Sequence, residues 1–238
     1  MPQAANPVAP MVLHCCALLR ERLTAPAPVS GLLVGCGKGD EVAYLRRAFS
    51  SRRIVGLDVE ADFSPLARTE RCVVRADAKA LPFGSEVFDF AAAFHSLEHV
   101  GDARMALDEI MRVLRPGGWL YVGVPNRSRL VAYIGSFDAT PFQKVAWNLQ
   151  DWWARARGRF RNEMGAHAGF EQVEFAEILA SRFSKTQFLT EEYLRFKYSA
   201  RLPSLVMDIL LGPHLLRYSA AAHYALCQKA GPSAALVQ

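Results

Sequence analysis

The chain has 238 residues, 51% apolar and 21% charged, which is enough for one domain with a substantial core and too apolar for a disordered chain. Its formal net charge of +5 is mild and makes no nucleic-acid footprint unless the charge is clustered. Cys15, Cys16, Cys36, Cys72 and Cys227 form no Cys-x-x-Cys pair, which argues against a disulfide framework or a cysteine-zinc site and for a reducing, cytoplasmic setting.

In chain order, residues 1–8 read as a tail, residues 11–23 as a helix packed on the domain, and residues 24–28 as a Pro-containing linker. The apolar run at 8–19 lacks the form of a leader, because the first basic residue, Arg20, follows it. Strands are predicted at 31–35, 53–57, 72–75, 88–94 and 119–124, with helices at 41–50, 65–69 and 102–114. In the last helix Met105, Ala106, Ile110, Met111 and Leu114 share one face, and Arg115-Pro116-Gly117-Gly118 stops it. The rhythm lapses from 126 to about 165, and strands at 186–189 and 223–228 follow. The run 202–216 contains Pro203, Asp208, Pro213 and His214, too short and too broken to span a bilayer.

This alternation predicts an α/β fold: a doubly wound, mostly parallel sheet with helices on both faces and an irregular lid insertion after the fifth strand. The expected organisation is a helix and linker at 1–30, a single domain at 31–230 with a lid or substrate region at about 126–184, and a tail at 231–238.

Gly35, Gly37 and Gly39 alternate where the first strand ends, and Asp58 ends the second. Glycine lets the backbone pass close under a ligand and adopts φ > 0 at little cost. A carboxylate at the end of the next strand can accept from ribose hydroxyls. Together they predict a nucleoside-containing cofactor. A dinucleotide fingerprint needs its third glycine at position 40, which is Asp40, so an NAD-type oxidoreductase is the lesser alternative.

Four blocks then resemble, in order and spacing, the class I S-adenosylmethionine-dependent methyltransferases. The nearest likeness is to the bacterial type 11 group related to quinone-biosynthesis enzymes. The blocks are the loop 34–39, Gly56-Leu57-Asp58, Asp77-Ala78-Lys79-Ala80-Leu81-Pro82-Phe83 with Phe88-Asp89, and Leu97-Glu98-His99-Val100 followed by 109–118. The resemblance covers about residues 30–126. It implies a seven-stranded, Rossmann-like sheet whose last strand inserts antiparallel beside the sixth, and methyl transfer to a small-molecule or lipid-like acceptor. It assigns Gly35, Cys36, Gly37 and Gly39 to the methionine part of S-adenosyl-L-methionine and Asp58, with Val59 beside it, to the ribose. Asp77 and Ala78 fall to the adenine, and His95 to the methyl end. Leu33 stands where the family often has an acid, two positions before Gly35. It is the one hint of a second alternative, a non-catalytic relative serving as an interaction module.

His95-Ser96-Leu97-Glu98-His99 also matches the inverted zinc-peptidase pattern His-x-x-Glu-His. Its place after an apolar strand, in the family's Leu-Glu-His block, argues against that chemistry, and no metal site is expected. His95, Glu98 or His99 is expected to contact the acceptor or act as a general base, with His167 as a further catalytic candidate, and Asn126 is expected to face the pocket. Trp147, Trp152 and Trp153 interleave with Arg155, Arg157, Arg159 and Arg161. The leading reading is a lid helix with its aromatics on the core and its arginines in solvent. Contact with a membrane surface or lipid substrate is the second, and nucleic acid the least favoured. Oligomeric state is left open.

Overall fold

The computed structural model describes residues 8–23, 28–133, 139–162 and 167–231. All but one residue of each predicted tail and of the linker lie outside the described residues.

The strands β1 (Gly31–Val34), β2 (Ile54–Asp58), β3 (Val73–Arg75), β4 (Phe88–Phe94), β5 (Leu114–Pro125), β6 (Lys185–Phe188) and β7 (Ala222–Gln228) form one sheet in the order β3-β2-β1-β4-β5-β7-β6. β1 through β5 pair in parallel, and β7 lies antiparallel between β5 and β6. All of β1 and nearly all of β4 are buried, as central parallel strands covered on both faces should be.

Helix α1 (Pro10–Arg22), α2 (Asp40–Ala48), α7 (Thr190–Tyr198) and α8 (Ser204–Leu210) cover one face, where Val12, Leu19, Leu45, Tyr193 and Met207 pack on Leu33, Phe90 and Tyr121. On the other face α4 (Ala103–Val113) and α6 (Gln172–Ala180) pack Ile110, Val113, Phe175 and Leu179 on Leu32, Ala91 and Val122. The N-terminal helix is tied in by His14, whose Nδ1 is 3.0 Å from the Tyr121 hydroxyl. α4 starts where the Asp102 side chain accepts from the N–H groups of Arg104 and Met105. Its buried face is Ala106, Leu107, Ile110 and Val113, whereas Met105 is 49% exposed, so the predicted apolar face was rotated by part of a turn.

A second difference concerns Arg115-Pro116-Gly117-Gly118. The strand already begins at Leu114, and the register jumps from Phe88 opposite Leu114 to Phe90 opposite Trp119. The four residues are looped out within β5, with Gly117 at φ +78°. Asp89 explains the neighbouring motif. Its carboxylate accepts from the Ser30 N–H and hydroxyl at 2.7 Å and from Arg115, joining β4, the start of β1 and the bulge.

The short helix α3 (Pro65–Thr69) follows β2, capped by the Ser64 side chain. Past β5 the chain makes α5 (Pro141–Ala156), whose Thr140 and Gln143 form a reciprocal capping box. α9 (Leu216–Ser219) leads into β7.

Candidate functional site

The sheet order reverses between β1 and β4, and a crevice opens at the carboxyl ends of these strands, where open α/β sheets bind ligands. It is a cleft of about 580 Å³, within the range of small-molecule sites. Gly35, Gly37, Asp58, Val59, Asp77, Ala78 and His95 all line it, and so does His99.

Each glycine of the loop has its own reason. A Cβ on Gly35, at φ +70°, would sit 2.2 Å from the Ser96 Cβ, so the loop can pass under the β4 end only without a side chain. Gly37, at φ +50°, would meet nothing within 4 Å and presents bare backbone on the open side. Gly39, at φ +84°, does not line the cleft: it is buried, and a Cβ there would press on Val73 and Ala67. Cys36 does not line it either. Its side chain is buried beneath the loop against Gly56, and burial, with the nearby Asp58 charge, pushes its thiol up to about 12. Cys36 and Gly39, expected at the ligand, thus shape the loop from below rather than lining the cleft.

Asp58 orders the loop from β2. Its Oδ2 accepts from the Gly37 N–H at 2.8 Å and its Oδ1 from the Glu60 N–H at 3.0 Å, while Gly35 and Cys36 donate to the Leu57 carbonyl at 2.9 Å. These bonds fix the carboxylate's rotamer and leave each oxygen a further lone pair. Leu33, where an acid was looked for, is fully buried in the core, and the loop is braced without it. Asp77 accepts from the Lys79 N–H at 2.9 Å. The 77–83 segment is tied down by Glu109, which accepts from the Leu81 N–H, and by Arg112, which donates to the Leu81 and Phe83 carbonyls.

At the floor His95 has φ +52°, rare for a side-chain-bearing residue. Its Nε2 is 3.1 Å from the Tyr224 hydroxyl on β7. Burial, followed by the charges of Lys197 and Arg129, pushes His95 down to about 4, so it is neutral at physiological pH. Tyr224 carried no sequence signal beyond its place on a predicted strand. Only the short 3₁₀ turn Leu97–His99 follows, so His95 and His99 do not share a helix face as a zinc-peptidase motif requires.

His99 also lines a second cavity of about 490 Å³, with Glu98, Arg127, Asn162 and His167. The His99 and His167 rings meet edge to face at 4.7 Å between centroids. The Glu98 side chain is 2% exposed, and burial pushes its carboxyl up to about 7. Asn126 is absent from both cavities. It is fully buried, and its Nδ2 donates to the Arg217 and Ala220 carbonyls, clasping the end of β5 to the approach of β7.

Arg129, 3% exposed, organises the wall of the second cavity. It donates to the carbonyls of Asn126, Ala168 and His167 and pairs with Asp151 of α5 at 3.0 Å. α5 docks through polar groups: Asn148 exchanges bonds with Ala132, and Arg155 donates to the Arg127 and Arg129 carbonyls. Its apolar side faces outward, with Phe142 81%, Leu149 54% and Trp153 59% exposed. The expected orientation holds only in part: Trp147 packs on Tyr133 and Arg157, Arg159 and Arg161 are exposed, whereas Trp153 faces outward and Arg155 inward, because loop carbonyls and the Arg129–Asp151 pair offer the docking site.

Residues 32–122 match the family model described as a methyltransferase domain. The chain is 31% identical over 121 residues to a phthiotriol/phenolphthiotriol dimycocerosates methyltransferase of Mycobacterium tuberculosis, covering 48% of this chain and 45% of that protein. It is 32% identical over 131 residues to a fatty-acid O-methyltransferase of Mycolicibacterium smegmatis, covering 51% and 48%. The chain thus spans about half the length of these relatives. Among solved structures it is similar to a geranyl diphosphate methyltransferase in complex with GPP and sinefungin, with 16% identity, a TM-score of 0.51, and 91% and 76% of the two chains covered. It is also similar to the [4+2]-cyclase SpnF, with 21% identity, a TM-score of 0.52, and 92% and 80% covered. At these identities the solved structures establish the fold.

Proposed function

We propose that the chain, whose residues 32–122 match the methyltransferase-domain family model, is an S-adenosylmethionine-dependent methyltransferase acting on a small-molecule or lipid-like acceptor. One observation carries this reading: Gly35, Gly37, Asp58, Asp77, Ala78 and His95 converge on a single cleft at the sheet's topological switch.

The cleft suits the cofactor. Bare backbone at Gly37 fits the methionine end, the unused lone pairs of Asp58 the ribose hydroxyls, and Asp77 with Ala78 the adenine edge. S-adenosylmethionine supplies an electrophilic methyl group on a sulfonium, so the protein's task is chiefly to position and desolvate. Holding two reactants in line contributes about 7–11 kcal/mol to such a step. His95, neutral and held by Tyr224, is the residue placed to accept a proton from an acceptor at the methyl end. His99 lines both this cleft and the second cavity, where His167 meets it, and that second cavity is read as the acceptor's place.

The region 126–184 is read as the acceptor-binding part of a single domain, with α5 as its lid. A lipid-like acceptor, or contact with a lipid surface, is supported by the outward apolar side of α5 and by the Arg157 guanidinium 3.4 Å from the Trp153 ring centroid, a charge at the border of that side. The names of the mycobacterial relatives point the same way. A reducing, cytoplasmic location is supported by five buried, free cysteines. No described helix is long and apolar enough to cross a membrane.

Calorimetry with S-adenosylhomocysteine tests the cofactor. Transfer of labelled methyl from S-adenosylmethionine to a panel of fatty acids, quinone precursors and polyketide lipids tests the acceptor. No binding of S-adenosylhomocysteine would end the enzymatic reading. Binding with no transfer across the panel would favour the interaction module.

A further inference from the structure

Glu98 poses a chemical problem. A carboxylate 2% exposed needs hydrogen-bond donors, because an unpaired buried charge is costly. Yet Oε2 has no partner among the described residues. Beyond a hydrogen bond from its own backbone N–H and the more distant charge of Arg129, the carboxyl faces two imidazole nitrogens, His95 Nδ1 at 4.0 Å and His99 Nε2 at 3.9 Å from Oε1, both beyond hydrogen-bonding distance. His167 arrives from a different part of the chain, and its backbone is held in place by Arg129, which donates to its carbonyl at 2.8 Å.

We propose that Glu98, His99 and His167 form a binding site for a divalent first-row cation of the zinc type, at the junction of the two cavities. One donor atom from each lies within 4.8 Å of the other two. Two imidazoles and one carboxylate are a ligand set that zinc accepts in open sites, with a remaining position for a water or substrate oxygen. The edge of a tetrahedron with donors about 2.1 Å from the metal is roughly 3.4 Å, so the donors close in on binding. The two imidazoles make that movement, since both residues are exposed, while buried Glu98 is the fixed point. A cation satisfies the orphaned carboxylate and lets the facing imidazoles remain neutral.

The site departs from the sequence expectation of no metal, and its ligand set is not the one the His-x-x-Glu-His pattern names. His95 is turned to Tyr224 by its positive φ, and His167 takes its place. Because the open position faces the 490 Å³ cavity, the site selects an acceptor that presents an oxygen donor. This last clause rests on the methyltransferase reading; the cation site itself does not.

The experiment is a titration of the chelator-treated full chain with Co²⁺, followed by visible absorption, and then with Zn²⁺ in competition. One equivalent is expected, with the absorption of a four-coordinate ion. His167→Ala should weaken Co²⁺ binding on the order of 100-fold, and Glu98→Gln should do so as well. His167 is exposed, so His167→Ala keeps the test intact if Glu98→Gln fails to fold. His95→Ala should leave the affinity unchanged. Absence of stoichiometric binding, or binding lost in His95→Ala and kept in His167→Ala, would overturn the proposal. Calorimetry with S-adenosylhomocysteine on the same samples separates the two readings: Co²⁺ bound without it removes the cofactor and keeps the metal site, and the converse removes the metal site alone.

Discussion

The two cavities at the carboxyl end of the sheet are built in opposite ways. The first is walled by a glycine loop, strand ends with their carboxylates, and turns, all within 34–101. The second is walled by side chains drawn from 97–178, with Arg129 holding the pieces together. A close-passing glycine loop with carboxylates at fixed strand ends tolerates little substitution and leaves a spacing pattern in the sequence. Side-chain recognition is freely variable and leaves none. A shared cofactor and an individual acceptor would divide a methyltransferase in this way.

The sharpest way to break the contrast is Gly35→Val. A β-branched side chain at φ +70°, with its Cβ on Ser96, cannot be accommodated without moving the β4 end. Expected are a loss of about 3 kcal/mol in denaturant unfolding and no detectable S-adenosylhomocysteine binding. Wild-type binding in this variant would show that the loop's close passage is unnecessary.

In the second cavity the counterpart is Arg129→Met. It removes the donor to three carbonyls and strands Asp151, for an expected cost of about 2–3 kcal/mol by thermal or chemical unfolding. S-adenosylhomocysteine affinity should hold, because none of these partners lines the first cleft. Equal loss of affinity in both variants would mean that the two cavities are one cooperative unit.

Asp58→Ala is milder. A charged acceptor for ribose hydroxyls is worth roughly 1.5–3 kcal/mol, so S-adenosylhomocysteine should bind about 10–100-fold more weakly by calorimetry. Co²⁺ binding should not change. A shift below twofold would deny Asp58 its assigned part.

What could be read in advance follows the same division. Residues 31–126 carried periodic apolar strands, glycines at strand ends and a carboxylate one strand on, and the structure puts most of the named residues on one cleft. Cys36 and Gly39 fall beneath the loop rather than on the cleft, because sequence spacing does not say which side of a loop faces the open side. Past 126 the reading weakened. The outward turn of α5 was missed, since its amphipathic pattern looks the same whether the apolar side meets a core or faces away. The Glu98–His99–His167 juxtaposition is held by the Arg129 guanidinium on the His167 carbonyl, a long-range bond that no local pattern announces. Tyr224, too, meets His95 only through the insertion of β7 beside β5.

Away from both cavities, Asp89→Asn probes the edge that carries the family motif without touching ligand. Burial alone would raise the Asp89 carboxyl, but the Ser30 N–H and hydroxyl and then Arg115 outweigh it and hold it below its ordinary value. A carboxyl depressed in the fold contributes stability above its unfolded pKa of about 3.9, and loses it as pH falls through the folded value. The wild-type protein should therefore lose stability on acidification below pH ~4, and Asp89→Asn should flatten that limb. An unchanged acid limb would remove the staple from the account.

The smallest effect is the most discriminating for α5. Were Trp153 packed on the core, as the leading sequence reading had the aromatics, with Leu149 one turn before it, replacing both with serine would cost several kcal/mol, about 2–5 for each large side chain. Because they are 54% and 59% exposed, the double variant should change unfolding stability by less than about 0.5 kcal/mol. Its effect should appear instead on anionic vesicles, where the wild-type chain sediments and the variant does not, since apolar area and the neighbouring arginines act together at such a surface. A large destabilisation would restore the inward orientation. Unchanged stability with unchanged vesicle binding would leave α5 as a lid alone, held by Asn148, Asp151 and Arg155 and open to solvent on its apolar side.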